Sequence, residues 1–131
     1  MIKAACKIWL SKNDEKAFGQ GPCKILRQVE KTNSLHQAAR EMGMSYNKAW
    51  RLIRLMERRL GFPLLEKQVG GLSGGGSQLT PEAKDQVERY ERFETDSIKA
   101  VAKVYQKHFG QSGKNERRAL KGWGGMKGRM E

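Results

Sequence analysis

Apolar residues recur at intervals of three and four along most of this chain, which is the period of an amphipathic α-helix. One such stretch runs from about Pro22 to Lys31, and a shorter one runs from Leu35 to Met42. A third stretch runs from Ser45 to about Leu60, directly after Gly43. Two helices separated by so short a break, with glycine at the turn, predict a helix-turn-helix.

The residues at the ends of these stretches support the helix boundaries. Asn33 and Ser34 are both candidate N-caps of the second helix, and Gln37 follows Ser34 at the spacing of a capping box. Gly43 provides the left-handed conformation that ends a helix, and Ser45 is the candidate N-cap of the third. Pro22 is predicted to occupy the first position of helix one, where its missing N–H costs nothing.

The third helix has two different faces. Its apolar side is predicted to hold Ala49, Trp50, Ile53, Met56 and Leu60. Because Trp50 shares a face with Ala49 and Ile53, we interpret it as a core residue rather than a contact. The opposite face carries Asn47, Lys48, Arg51, Arg54, Arg58 and Arg59, with Glu57 as the one acid. This helix is therefore predicted to bury its apolar stripe in the core and to present its basic stripe to a binding partner.

Short extended segments flank the helices. Cys6 to Leu10 is predicted to form a strand, with Ala17 and Phe18 returning as a second one after a polar turn. After the third helix, Leu64 to Val69 and Ser77 to Leu79 predict two strands around a loop with five glycines. A hairpin in this place is the wing of a winged helix.

A long helix is predicted from Pro81 to Phe109, with Thr80 as its N-cap. Its apolar stripe is longer than a small domain needs for its own core, which favours burial of the excess against a second copy of the chain. The chain after Gly110 has the composition of a flexible basic tail. We therefore divide the chain into a winged helix-turn-helix at 1–80, a dimerisation helix at 81–109 and a tail at 110–131.

The chain is strongly basic. The 131 residues carry a formal net charge of +12, which attracts phosphate backbones. The alternative is a basic protein whose charge serves solubility alone. No apolar run is long enough for a transmembrane helix, and the N-terminus lacks a signal-peptide pattern, so we predict a cytoplasmic protein. Cys6 and Cys23 are interpreted as reduced thiols, with a single disulfide as the open alternative.

The first turn of the third helix is the predicted site of base contact, because this is the part of a recognition helix that reaches base edges. Asn pairs with adenine, and Arg or Lys pairs with guanine. A solvated polar face on a core helix is the alternative. The glycine-rich loop lacks the lysine of a nucleotide-binding P-loop, so we interpret it as a wing tip, with Lys67 at its base contacting phosphate.

Catalysis has little support in the sequence. His36 and His108 are distant from each other, and no nucleophile has an evident base beside it. The acids of the long helix alternate with basic residues, as exposed helix charges do. We predict no enzyme activity, no metal site and no cofactor.

Several segments together resemble the N-terminal DNA-binding domain of the molybdate-dependent regulator (ModE) family, which is similar to the winged helix of LysR-type regulators. The segments are Ser34-Leu35, Ala38-Ala39, Met44 to Trp50, Leu64-Leu65-Glu66, Gly70-Gly71, Gly74 to Gly76 and Leu79-Thr80. The fold class implied is mainly α with a small β-hairpin, a winged helix-turn-helix followed by a long C-terminal dimerisation helix.

The resemblance implies a dimeric transcriptional regulator that binds double-stranded DNA at a palindromic operator and is linked to molybdate uptake or metabolism. The predicted DNA-binding residues are Ser34, Ser45, Tyr46, Asn47, Lys48, Arg51, Arg54, Lys67, Gly74 and Gly75. The predicted homodimer interface is Ile8, Leu26, Val87, Tyr90, Ile98, Val101 and Tyr105. The chain resembles the stand-alone DNA-binding form, so molybdate is not expected to bind it directly.

Two other functions remain as alternatives. One is a low-specificity architectural DNA-binding protein that uses the same basic surface. The other is an adaptor module that binds a partner protein through the long helix.

Overall fold

The structure, a computed structural model, describes residues 1–68 and 76–110. The chain forms two compact units: one is Lys7–Glu94, and the other joins Met1–Cys6 to the chain from Thr95 onward. The elements in chain order are β1 (Leu10–Lys12), β2 (Glu15–Phe18), α1 (Gln20–Thr32), α2 (Leu35–Glu41), α3 (Tyr46–Leu60), β3 (Leu65–Gln68), β4 (Gly76–Leu79) and α4 (Pro81–Phe109). The described part is thus mainly helical with small antiparallel hairpins, as the sequence predicts.

Helices α2 and α3 form the predicted helix-turn-helix. The Ser34 hydroxyl caps α2 by accepting from Gln37 N at 3.1 Å, which decides between the two N-cap candidates. Asn33 instead ends α1 in the left-handed conformation, with φ of 56°. Gly43 has φ of 69° in the turn, where a side chain is disfavoured. Ser45 caps α3 by accepting from Lys48 N at 3.1 Å.

The core of the Lys7–Glu94 unit is formed by the inward stripes of all four helices. Its buried members are Phe18, Cys23, Ile25, Leu26, Val29, Leu35, Ala38, Ala39, Ala49, Ile53, Met56, Leu64, Leu79, Ala83, Val87 and Tyr90. Ala38 and Ala39 are buried at the point where α2 approaches its neighbours, as their small size predicts. Burial of these apolar surfaces drives the assembly of the unit.

The wing is attached to the helices by backbone hydrogen bonds. Strands β3 and β4 pair antiparallel, with Leu65 opposite Leu79 and Lys67 opposite Ser77. Ser77 N donates to Asn33 O at 3.0 Å, which fixes β4 against the junction of α1 and α2. The position of the wing beside the helix-turn-helix is therefore set by main-chain geometry.

Helix α4 begins at the cap predicted for it. Thr80 Oγ1 accepts from Ala83 N at 3.0 Å and donates to Pro63 O at 2.7 Å. The Tyr90 ring packs edge-on against Phe18, with centroids 5.3 Å apart, and its hydroxyl donates to Ile8 O at 2.6 Å. The first turns of α4 are therefore part of the helix-turn-helix core.

Two predicted boundaries are wrong. The strand predicted at Cys6 to Leu10 begins only at Leu10, because its partner β2 has four residues and the turn between them is tight. Asn13 and Asp14 form that turn with φ of 52° and 63°. Helix α1 starts at Gln20, so Pro22 is its third residue. This position is still compatible with proline, because the first hydrogen bond of the helix is donated by Cys23 N, to Gly19 O.

Candidate nucleic-acid interface

The outward face of α3 is a row of polar and basic side chains. Asn47, Arg51, Arg54 and Arg58 are all exposed, and their spacing of four, three and four places them along one side of the helix. Lys48 is also exposed beside this row. The structure thus brings together most of the residues predicted to contact DNA on α3, and we call this row the outward face.

The first turn of α3 is held by two local contacts. The Ser45 oxygen is already engaged in capping the helix. The Tyr46 ring stacks on His36 of α2, with centroids 3.7 Å apart and planes within 6°. This stacking ties the beginnings of the two helices together, and sequence spacing alone gave no sign of it. The half-buried Tyr46 is therefore oriented before any ligand binds.

Trp50 is not a core residue, so this interpretation of the sequence is wrong. Its side chain is 43% exposed, and the guanidinium carbon of Arg54 lies 5.0 Å from its ring centroid. The buried stripe of α3 consists of Ala49, Ile53 and Met56. One residue along a helix is a rotation of about 100°, so Trp50 lies on the flank of this stripe, toward the wing.

Glu57 and Arg59 have structural roles that the sequence pattern concealed. Glu57 Oε2 accepts from Leu64 N at 2.7 Å, and Oε1 pairs with Arg54 Nη1 at 3.2 Å. This carboxylate joins the end of α3 to the beginning of β3. Arg59 donates to Lys16 O and to Glu15 Oε2, both at 2.6 Å. Arg59 therefore braces the first hairpin and is not part of the outward face.

The wing places a further lysine beside α3. Lys67 of β3 is exposed, and a cleft of about 120 Å³ separates this strand from α3. Trp50, Arg54, Lys67 and Ser77 are among the residues that line it. Gly74 and Gly75, predicted to form the wing tip, lie outside the described residues. Ser34, also predicted to contact DNA, is half-buried and its oxygen caps α2.

The residues predicted to form a dimer interface fall into two groups. Leu26, Val87 and Tyr90 are buried in the core of their own chain, which leaves them no free surface for a partner. Ile8 is half-buried and accepts the Tyr90 hydroxyl through its carbonyl. Ile98, Val101 and Tyr105 lie further along α4 and remain partly or largely exposed.

A second polar cluster lies between α1 and α4. The Arg27 guanidinium donates to both carboxylate oxygens of Glu91, at 2.5 and 3.0 Å. These hydrogen bonds lower the pKa of Glu91 and raise that of Arg27. Burial raises the pKa of the Cys23 thiol to about 12 and that of Tyr90 to about 12. The thiol is therefore protonated at neutral pH, when it is a poor nucleophile.

Within residues 1–68 and 76–110, no group of three or more His, Cys, Asp or Glu side chains is arranged to hold a metal ion. None of the helices in that part of the chain has the length and apolarity needed to cross a bilayer. Both cysteines there are free thiols.

A helix-turn-helix with a basic outward face and an adjoining hairpin defines the class of winged helix-turn-helix proteins. Residues 23–84 match the family model described as bacterial regulatory helix-turn-helix protein, lysR family. Residues 23–84 are thus similar to the helix-turn-helix of that family, which confirms the LysR-type resemblance noted in the sequence.

Curated relatives share this part of the chain. The molybdenum-pterin-binding protein MopB of Rhodobacter capsulatus is 33% identical over 78 residues, which is 60% of this chain and 29% of the relative. The transcriptional regulator ModE of Haemophilus influenzae is 34% identical over 71 residues, which is 54% of this chain and 28% of the relative. The matches thus span less than a third of these relatives.

Among solved structures, the chain resembles a crystal structure of the CbnR DNA-binding domain in complex with DNA. The TM-score is 0.48 at 22% identity, covering 76% of this chain and 95% of that one.

Proposed function

We propose that this protein is a transcriptional regulator that binds double-stranded DNA as a homodimer and inserts the beginning of α3 into the major groove. The observation that carries this proposal is the outward face, where Asn47, Arg51, Arg54 and Arg58 are exposed side by side on the second helix of a helix-turn-helix. A helix in this position presents its first residues to base edges. The net charge of +12 supports an anionic partner.

Asn47 and Arg51 are assigned to base reading. Both are exposed in the first two turns of α3, and their side chains form paired hydrogen bonds with adenine and guanine respectively. Lys48 and the Tyr46 hydroxyl are assigned to the flanking phosphates. The hydroxyl groups of Ser34 and Ser45 accept backbone N–H groups, so any contact that they make with phosphate uses their remaining O–H as donor.

The wing contributes a contact to the neighbouring backbone. Lys67 is exposed on β3, across the cleft from α3, and an ammonium there suits a phosphate. Gly74 and Gly75 remain proposed contacts of the wing tip. DNA contacts on both sides of the cleft would fix the register of α3 in the groove.

The regulated genes are proposed to concern molybdate uptake or metabolism. This rests on the relatives, one named a transcriptional regulator ModE and one a molybdenum-pterin-binding protein. Because the matches cover less than a third of those proteins, the proposal extends to the regulated genes and not to molybdate binding by this chain. We also propose a cytoplasmic location, where the DNA is found and where the free thiols of Cys6 and Cys23 persist.

The test is a fluorescence-anisotropy titration with a duplex selected from a random pool by the wild-type protein, and with a scrambled duplex of equal length. Asn47→Ala and Arg51→Ala are each expected to cost about 1–3 kcal/mol on the selected duplex and much less on the scrambled one. Lys67→Ala is expected to weaken binding to both about equally. Arg89→Ala, an exposed change on α4, controls for loss of charge alone.

Two outcomes would contradict the proposal. Equal, salt-labile binding of both duplexes would favour an architectural DNA-binding protein. Absence of binding to either would favour a protein adaptor that acts through α4.

A further inference from the structure

Trp50 is a large apolar side chain in a place where the fold does not bury it. The other strongly apolar residues of α3 are buried or half-buried, whereas the Trp50 indole is 43% exposed. The core of the unit is closed beneath it by Ala49 and Ile53. Its packing is therefore not needed to complete the core, and its exposed face is available to a ligand.

The indole is held in a defined position. Arg54, one turn along α3, has its guanidinium carbon 5.0 Å from the ring centroid, and Glu57 also pairs with that guanidinium at 3.2 Å. An aromatic ring fixed in this way loses little conformational entropy when it binds.

The position of Trp50 relative to the outward face suggests what it contacts. It directly precedes Arg51 and lies one turn after Asn47 and one turn before Arg54 on the helix. If these three side chains face the major groove, the indole lies at the groove edge on the side of the wing. Of the groups that bases present in this groove, the thymine C5-methyl is the apolar one.

We propose that Trp50 is a specificity-determining residue that recognises thymine by packing its indole against the C5-methyl group. This inference rests on the proposed function, because it requires α3 to enter the major groove. Burial of one methyl group is worth about 0.8 kcal/mol, which corresponds to about a fourfold change in affinity. Trp50 would thus add apolar readout to the polar readout of Asn47 and Arg51.

The experiment removes the methyl group without changing base pairing. Each thymine of the selected duplex is replaced singly by uracil, and binding of wild type and Trp50→Ala is titrated against every duplex. At the contacted thymine we expect uracil to weaken wild-type binding about fourfold. Trp50→Ala should bind the thymine and uracil duplexes equally at that position, while its discrimination of the other bases through Asn47 and Arg51 persists.

Two variants keep this test interpretable. Trp9→Ala removes another exposed tryptophan, 54% exposed and outside α3, and should retain the full thymine preference. Trp50→Phe keeps an aromatic ring and should retain part of it, which tests the inference even if Trp50→Ala folds poorly.

Two results would overturn the inference. The first is a wild-type protein indifferent to uracil at every position. The second is a thymine preference that survives in Trp50→Ala; an equal loss of affinity on thymine and uracil duplexes is one form of this result and would indicate backbone contact. In both cases the proposed function stands if the selected duplex is still preferred, whereas loss of that preference in wild type would overturn both proposals.

Discussion

Glu57 illustrates how the role of a charged residue depends on the backbone groups of a neighbouring element that it contacts. In the sequence it is the one acid on a basic face, and nothing distinguishes it from a solvated helix charge. In the structure its Oε2 accepts from Leu64 N at 2.7 Å and from Leu65 N at 3.4 Å, and its side chain is 11% exposed. Since these donors come from a different element, helical periodicity carries no information about them.

We expect Glu57→Ala to lower the free energy of unfolding by about 1–3 kcal/mol, because it leaves partly buried N–H groups at the start of β3 without an acceptor. Glu57→Gln keeps one acceptor oxygen and should cost less. Urea-induced unfolding measures both. Glu66→Ala is the matched control, since Glu66 is exposed and, among the described residues, accepts from the Gln78 side chain at 3.1 Å, so its effect should be within about 0.5 kcal/mol. Equal losses for Glu57→Ala and Glu66→Ala would contradict the structural role.

The ion pair of Arg27 and Glu91 predicts a pH dependence. Arg27 lowers the pKa of Glu91 in the folded state, so the pair stabilises the fold above the ordinary carboxyl pKa and loses that contribution as pH falls through the lowered value. The two side chains are 38% and 43% exposed, so Glu91→Gln should cost less than about 1 kcal/mol at pH 7.

The difference between wild type and Glu91→Gln should shrink as the pH is lowered from about 4.3. The measurement is a series of denaturant titrations from pH 7 to pH 3. In an Arg27→Met background the same substitution should have almost no effect at pH 7, because the partner charge is gone. A difference that persists unchanged at pH 3 would exclude this linkage.

Roles that depend on neighbouring residues in the sequence could be predicted, whereas roles that depend on tertiary packing could not. Ser34, Ser45 and Thr80 are N-caps as the sequence predicts, because a cap acts on backbone groups two or three residues away. Trp50 was misassigned because a hydrophobic residue beside the buried stripe has the same pattern whether it faces the core or its flank. Only the positions of α2 and the wing decide whether such a residue is buried in the core or exposed on its flank.

At the level of elements, all four predicted helices exist, and the larger of the two boundary errors lies in the first strand. Helices α2, α3 and α4 each have a strong start signal and a periodic apolar stripe, so their boundaries could be predicted closely. Strand β1 is limited to three residues by the length of β2 and by the tight turn at Asn13 and Asp14. Pairing between strands is a non-local property, so the apolar run at Cys6 to Leu10 overstates its extent.

Two glycines, one in α1 and one in the turn after α2, should respond differently to the same substitution. Gly43 has φ of 69° and open space where a Cβ would lie, so Gly43→Ala should cost about 1–2 kcal/mol through backbone strain alone. Gly21 lies within α1 directly before Pro22. Alanine there gains helix propensity but brings a Cβ against the proline ring, so the net effect of Gly21→Ala should stay within about 0.5 kcal/mol.

Thermal unfolding of the two variants measures this contrast. Gly43→Asn should cost less than Gly43→Ala, because asparagine tolerates the left-handed conformation better. If Gly43→Ala lowered the midpoint no more than Gly21→Ala, the conformation assigned to the turn between α2 and α3 would be wrong.

For the whole molecule, the unexplained feature is the apolar surface on the second half of α4. Ala83, Val87 and Tyr90 bury one helical stripe in the core of the Lys7–Glu94 unit. Beyond Glu94, Ile98, Val101 and Tyr105 follow one another at intervals of three and four. Ile98 is 47% exposed, and Val101 and Tyr105 are half-buried. A partly exposed apolar stripe on a regular helix is typical of a surface that pairs with another chain.

If α4 holds the proposed dimer, substitutions in its first half should affect folding, whereas substitutions in its second half should affect association. Val87→Ala, in the buried half, should lower the free energy of unfolding by about 2 kcal/mol, because it removes two methyl groups from a closed core. Ile98→Asp, in the exposed half, should leave the unfolding of the helix-turn-helix unit almost unchanged, since an aspartate there remains hydrated in a monomer.

In the dimer that same aspartate would be buried without a partner, so Ile98→Asp should convert the protein to a monomer in sedimentation equilibrium. Ala100→Asp introduces the same charge at an exposed position outside the stripe and should weaken association less. Binding to the selected duplex should fall with the loss of the dimer, because two linked recognition helices gain affinity that one lacks. If wild type is already a monomer on DNA, or if Ile98→Asp stays dimeric, the exposed stripe of α4 serves some other partner.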